Sequence, residues 1–168
     1  MVLTKSELIS SLQHEVRILL HLASKIDRAK LDYRPTPKQR STIELLRYLS
    51  VMGPWFVRAA KGEVGEAART AARQAADARD FDQTLSAIAA HTETYATLLA
   101  DVSDADLRAE INGMDGKKTT RGALLVSLVL CGCAAYRTQL FLYLKASGRE
   151  DLNTLNLWAG IDPSPTAA

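Results

Sequence analysis

The feature that most constrains this chain is the stretch from Thr119 to Gly148, which contains one run without a charged side chain, Gly122 to Tyr136. It opens on a candidate N-cap at Thr119 or Thr120 and closes at Ala146-Ser147-Gly148, where glycine can take the left-handed position after a helix. The spacing predicts a single long helix. Leu125, Leu128, Gly132, Tyr136, Gln139 and Tyr143 recur at three- and four-residue steps and are expected to share one face, so polar groups stand where a core helix ordinarily carries leucine. The longest apolar run within it, Ala123 to Ala135, is broken by Ser127 and is shorter than the roughly 20 residues a bilayer requires.

A helix of that kind needs partners, and the rest of the chain supplies them. Thr4-Lys5-Ser6-Glu7 is a capping box, and behind it Leu8, Leu12, Glu15, Leu19, Leu22 and Ile26 form a helical stripe, so a first helix is expected to about Ile26. Leu31 to Pro37 holds two prolines and reads as a connection. Ser41-Thr42-Ile43-Glu44 starts a second helix, buried along Leu45, Tyr48, Leu49, Met52 and Phe56, with a kink or an early end expected where Pro54 lacks its N–H. Residues 61–80 are rich in Ala, Arg and Glu, with Val64 the one large aliphatic residue before Phe81, and read as a surface connection with a short helix. Its arginines, Arg69 and Arg73, are expected on a solvated face; the alternative is a lid that turns them towards an anion. Asp80-Phe81-Asp82-Gln83 caps a third helix with Leu85, Ile88, Thr92, Tyr95 and Leu99 inward. Turn residues from Ser103 to Gly116 then lead to the last helix; Arg108 to Ile111 is β-like but lacks a convincing partner strand. Residues 149–168 form a tail that should dock through Leu152, Leu155, Leu157 and Trp158, and fray at Pro163-Ser164-Pro165-Thr166.

Four amphipathic helices in one 168-residue chain predict an all-α four-helix bundle, residues 1–168 forming one domain. A net charge of +2, with cations scattered among nearly as many carboxylates, gives no field for nucleic acid. Neither a basic-then-apolar leader nor a long apolar span is present, so a cytoplasmic location with no membrane partner is expected.

The run Tyr136-Arg137-Thr138-Gln139-Leu140-Phe141-Leu142-Tyr143 and the helix entry Tyr33-Arg34-Pro35 followed by Ser41-Thr42-Ile43-Glu44-Leu45 resemble the DinB/YfiT-like superfamily over roughly Leu8 to Gly148. The resemblance implies an up-down-down-up bundle, often dimeric, with a divalent metal held in many members by three histidines, and relatives that include thiol-dependent transferases and isomerases. Those ligand positions would fall at Tyr48, Gly132 and Tyr136, where this chain has two phenols and no side chain. Such a set is poor for zinc, nickel or iron even if Glu15 contributes, so no metal and no cofactor are expected.

The candidate ligand-binding residues are therefore Tyr48, Gly132, Tyr136 and Gln139, with Glu15 on the first helix. Glu15 can enter a pocket or reach solvent at the helix edge. Around the gap left at Gly132, Tyr48, Tyr136 and Gln139 can form a closed structural hydrogen-bond cluster or line a metal-free pocket for a small molecule. The first functional reading is a small-molecule-binding or interaction module; the alternative is a metal-independent transferase or isomerase acting on a small thiol conjugate. Cys131 and Cys133 diverge by about 200° on a helix and cannot pair with each other, and core packing is expected for both, with Arg137 facing out. His14, His21 and His91 fall off the core stripes and are expected to be peripheral. Trp55, Phe141 and Trp158 are left as an exposed apolar set, from which a homodimer is expected.

Overall fold

The computed structural model describes residues 3–63 and 65–164; Val64 and the Pro165-Thr166 end of the tail lie outside them. Three of the expected capping boxes start helices where the local chemistry places them. Thr4 opens α1 (Lys5–Ala23), Ser41 opens α2 (Thr42–Lys61) and Asp80 opens α4 (Phe81–Ala89), each with reciprocal side-chain and backbone bonds. A turn at Ala90 leads into α5 (His91–Leu98), so the expected third helix is one column in two pieces. Between α2 and α4 lies α3 (Glu66–Asp77), exposed along most of its length and burying Ala76. A short helix α6 (Asp104–Arg108) and a two-stranded antiparallel ribbon, β1 (Glu110–Asn112) with β2 (Lys118–Thr120), precede the last column. The ribbon pairs Ile111 with Thr119, so the β-like segment does have a partner strand, only three residues long. That last column is α7 (Arg121–Leu125), a five-residue π-helical stretch Val126–Leu130, and α8 (Cys131–Ala146); α9 (Thr154–Trp158) closes the chain.

Contacts between column ends give the topology. At one end Arg28, just past α1, meets Asp82 in α4 at 2.6 Å, Tyr143 in α8 donates to the carbonyl of Arg40 before α2 at 3.0 Å, and Arg149 donates to Lys25 at 2.7 Å. At the other end the Lys5 amide donates to Asp104 at 2.6 Å, Lys61 to the Leu98 carbonyl at 3.0 Å and Arg121 to the Ala60 carbonyl at 3.1 Å. Columns α1 and α7–α8 therefore run one way, and α2 and α4–α5 the other: up-down-down-up. Parallel neighbours cannot be joined by a tight turn, which is why residues 62–80 travel the length of the bundle and carry α3 along the outside.

The core is Leu8, Leu12, Leu22, Leu45, Leu46, Ile88, Leu99 and Leu140 with their neighbours, all fully buried and each contributing about 1.5–3 kcal/mol from removal of its side chain from water. Helix α2 does not end at Pro54. Because proline has no N–H, the carbonyl of Ser50 loses its helical donor, and the Nε2 of His91 occupies that position at 3.0 Å. His91, expected at the periphery, is accordingly buried and neutral, its pKa pushed down to about 4 first by burial, against a smaller opposing effect of the Ser50 bond.

The π-helical stretch corrects the expected face of the last helix. A wide turn adds one residue, so every later side chain advances by one position. The inward series is Leu125, Val129, Cys133, Arg137, Leu140 and Leu144 rather than Leu125, Leu128, Gly132, Tyr136 and Gln139, while Tyr143, also expected inward, is buried. Arg137 thus faces in, at 5% exposure, and pairs with Glu15, which does not reach solvent; the charges approach at 2.7 Å without a well-directed hydrogen bond between them. Arg137 also donates to the carbonyl of Leu157 and lies over the ring of Trp158, fastening α9. Cys131, expected in the core, is exposed, whereas Cys133 is half-buried against the core. His21 is half-covered by the tail through Asn156 at 3.1 Å, and His14 is exposed beside Arg17. Of the three aromatic residues expected outside, only Trp158 is exposed; Trp55 packs edge-on against Phe56 and Phe141 lies under Lys145.

Candidate binding cleft

Helix α2 presents Tyr48, Val51, Met52, Trp55 and Phe56 at three- and four-residue steps, and α3 crosses outside them. Because α3 is built largely from alanine, its short side chains leave a cleft over the tyrosine. One lobe, of about 430 Å³, is polar and lies between the 34–40 loop, the first turns of α2 and the end of α3. The adjoining lobe, of about 180 Å³, is walled by Met52, Trp55, Phe56 and Ala72. Arg40, Tyr48, Val51 and Arg73 line both lobes, so Tyr48 stands at the junction.

Five cations border the polar lobe: Arg34, Lys38, Arg40, Arg47 and Arg73. The carboxylates there are Glu44 and Asp77. Glu44 is already engaged by the Ser41 amide at 2.7 Å and by Arg34 at 3.3 Å, which together hold its carboxyl below the usual range. Arg47 is anchored by one nitrogen, its Nε donating to the Arg79 carbonyl at 2.8 Å. Arg40 lies over the Tyr48 ring at 4.2 Å, and Arg69 lies over the Trp55 ring at 4.9 Å while also meeting Glu66 at 3.7 Å. Among the described residues Arg40, Arg47 and Arg73 form no ion pair.

The residues singled out by sequence divide between this cleft and other places. Tyr48 lines it, and Tyr136 packs edge-on against Tyr48 with centroids 5.1 Å apart. Burial, then the Tyr136 hydroxyl, push the Tyr48 phenol up to about 12, so at neutral pH it is a hydrogen-bond donor and not an anion. Gly132 faces Met52: a Cβ there would stand 3.4 Å from the Met52 methyl, so the volume of the missing side chain is taken by a thioether rather than by the tyrosines. Gln139 donates to Tyr143 at 2.5 Å and borders a separate open depression beside Tyr33 and Leu142. Glu15 is on the opposite side, beside His14 and Cys131, its pKa raised by burial more than Arg137 lowers it. Burial and the nearby Glu15 charge push the Cys133 thiol up to about 12, so it is no nucleophile at neutral pH.

The three positions implied as metal ligands do not form a donor set here, since one has no side chain, one is a neutral phenol and the third is packed on its ring. Among the described residues no three His, Cys, Asp or Glu side chains are grouped as metal ligands.

Sequence reasoning missed Arg40 and Arg47; Arg69 and Arg73 are solvent-exposed, as expected, and also border the cleft. The available signal was the four-residue spacing of Arg69 and Arg73 on a helix that otherwise buries only alanine.

A crystal structure of a DinB-like protein, YjoA from Bacillus subtilis, superposes on this chain with a TM-score of 0.65 at 20% identity, covering 87% of this chain and 94% of that one. The fold is the DinB-like helical bundle. At that identity the likeness extends to the arrangement of helices and not to an activity. No family model and no curated protein matches the sequence.

Proposed function

We propose that this DinB-like chain is a metal-independent small-molecule-binding protein whose ligand enters the cleft beside Tyr48. The observation that carries the reading is the pair of adjoining lobes under α3, which join an apolar wall to convergent polar groups at a volume usual for ligand sites. Against an enzyme built on Tyr48, Tyr136 and Gln139 stands the position of Gln139, which is bonded to Tyr143 away from the Tyr48–Tyr136 pair, and among the described residues no carboxylate or imidazole is hydrogen-bonded to Tyr48. The metal-free part of the reading is supported by the chemistry of positions 48, 132 and 136.

Two measurements test this reading. Native mass spectrometry of gently purified protein should reveal a co-purifying small molecule that is lost on Ala72→Trp, which fills the apolar lobe. Elemental analysis of untagged protein should show metal well below one equivalent. Stoichiometric metal that disappears in Tyr48→Phe or Tyr136→Phe would overturn the metal-free part.

Self-association is proposed on separate grounds. The Arg121–Ala146 helix is long and apolar enough, by length and composition, to cross a membrane, yet only 22% of its most apolar window is buried although it packs on α1 and α2. Leu142, Leu155, Trp158 and Ile161 are exposed nearby in sequence. A second copy covering part of this surface fits a protein with no bilayer partner, and sedimentation that shows only monomer would refute it. The unpaired thiols suit a reducing compartment such as the cytoplasm.

A further inference from the structure

The two lobes of the cleft differ in chemistry. In the polar lobe Arg40, Arg47 and Arg73 converge without a carboxylate of their own, while one of the two acids present is already neutralised by Arg34. Five cations and two carboxylates around one 430 Å³ space leave a local excess of positive charge. Like charges held together repel, so such a cluster is costly unless an anion joins it. The guanidinium groups are also fixed: Arg40 by stacking on Tyr48, and Arg47 by its bond to the Arg79 carbonyl, which leaves its terminal nitrogens to act. A planar fork held in place is the geometry that binds an oxyanion through two parallel hydrogen bonds.

The other lobe offers the reverse. Val51, Met52, Trp55, Phe56 and Ala72 present aliphatic, thioether and aromatic surface, with Met52 seated in the space that Gly132 leaves. Its polar groups lie at its margins: Arg40, Tyr48 and Arg73 at the junction with the other lobe, Arg69 with its guanidinium on the Trp55 face, and the Trp55 indole N–H, which is buried without a partner. At the junction the Tyr48 hydroxyl remains protonated and can donate to an oxygen between the two halves.

We infer that the cleft selects a small amphipathic anion, its carboxylate, sulfonate or phosphate group held by Arg40, Arg47 and Arg73 and its flat apolar body inserted between Trp55, Met52 and Ala72. This rests on the binding reading above and specifies the ligand class for the same cleft. It also assigns a purpose to α3: the alanine-rich helix forms the outer wall and brings Arg73 to the anion.

A matched pair of fluorescent probes separates the two claims. 1-Anilinonaphthalene-8-sulfonate carries the anion, and N-phenyl-1-naphthylamine has the same rings without it. On the full chain the sulfonate should bind at least about tenfold more tightly, the scale of one charge-assisted hydrogen bond. Arg40→Gln and Arg73→Gln should each weaken the sulfonate by about tenfold and the neutral amine by much less, since both arginines border the apolar lobe without a charge to meet there. Ala72→Trp should weaken both probes. Thermal melts that match the parent chain establish that these surface variants are folded. Equal affinity for the two probes, or arginine variants without effect while Ala72→Trp still blocks binding, would overturn the anion inference and leave the small-molecule reading standing. Binding of both probes that Ala72→Trp leaves untouched, or no binding of either, would overturn the cleft reading and the inference with it.

Discussion

Acidification from pH 7.5 to 5 should destabilise this protein through His91 in particular, and the size of the effect follows from one bond. Pro54 leaves the Ser50 carbonyl without a helical donor, and His91 supplies the N–H from α5 at 3.0 Å. Burial, with Arg79 nearby, lowers the pKa from 6.5 to about 4, although the bond itself acts the other way. A base whose folded pKa is depressed binds its proton more readily when unfolded, so stability is present above pH 6.5 and is lost as pH falls towards 4. Linkage with those two values gives about 2 kcal/mol lost at pH 5 and about 3 kcal/mol at pH 4. Urea denaturation of the wild type and of His91→Gln across this range isolates the histidine, because the other titrating groups cancel in the difference. The advantage of the wild type should shrink by about 2 kcal/mol between pH 7.5 and pH 5. A second arm tests the bond itself. His91→Leu should cost about 1–3 kcal/mol at pH 7.5 by orphaning the carbonyl. In a Pro54→Ala background, where an alanine N–H can serve Ser50, that cost should fall. A stability difference that is flat with pH, together with a His91→Leu cost indifferent to residue 54, would refute the reasoning.

Two further changes test the core. Removing one partner of the buried Glu15–Arg137 pair, as in Arg137→Met, should cost about 3–5 kcal/mol in urea denaturation, and the double change Glu15→Gln with Arg137→Met should cost less than the sum of the single changes; additive costs would show that the pair is not coupled. Gly53→Ala places a Cβ 1.9 Å from the Tyr95 hydroxyl oxygen and should destabilise by more than about 2 kcal/mol, with part of the loss recovered by Tyr95→Phe; a neutral Gly53→Ala on thermal melting would contradict that contact.

What the sequence determined by itself is what depends on neighbours along the chain. The caps at Thr4, Ser41 and Asp80 act across three residues, and the stripes of Leu8, Leu12 and Leu45, Leu49 repeat at the helical period, so the helices and their inward faces are readable before any packing is known. The tertiary structure decided the rest because the deciding groups are distant in sequence. No periodicity shows that a proline at 54 will bury a histidine at 91, since the missing hydrogen bond is only completed when α5 lies against α2. The face of α8 depends on one wide turn at Val126–Leu130, whose extra residue turns Arg137 inward towards Glu15, 122 positions away, and removes Gly132 and Gln139 from the middle of that face. The cleft depends on where the 62–80 connection runs. Arg69 and Arg73 look like ordinary solvated arginines on an alanine helix, and they face Arg40 and Tyr48 only because an up-down-down-up bundle obliges that connection to travel along α2.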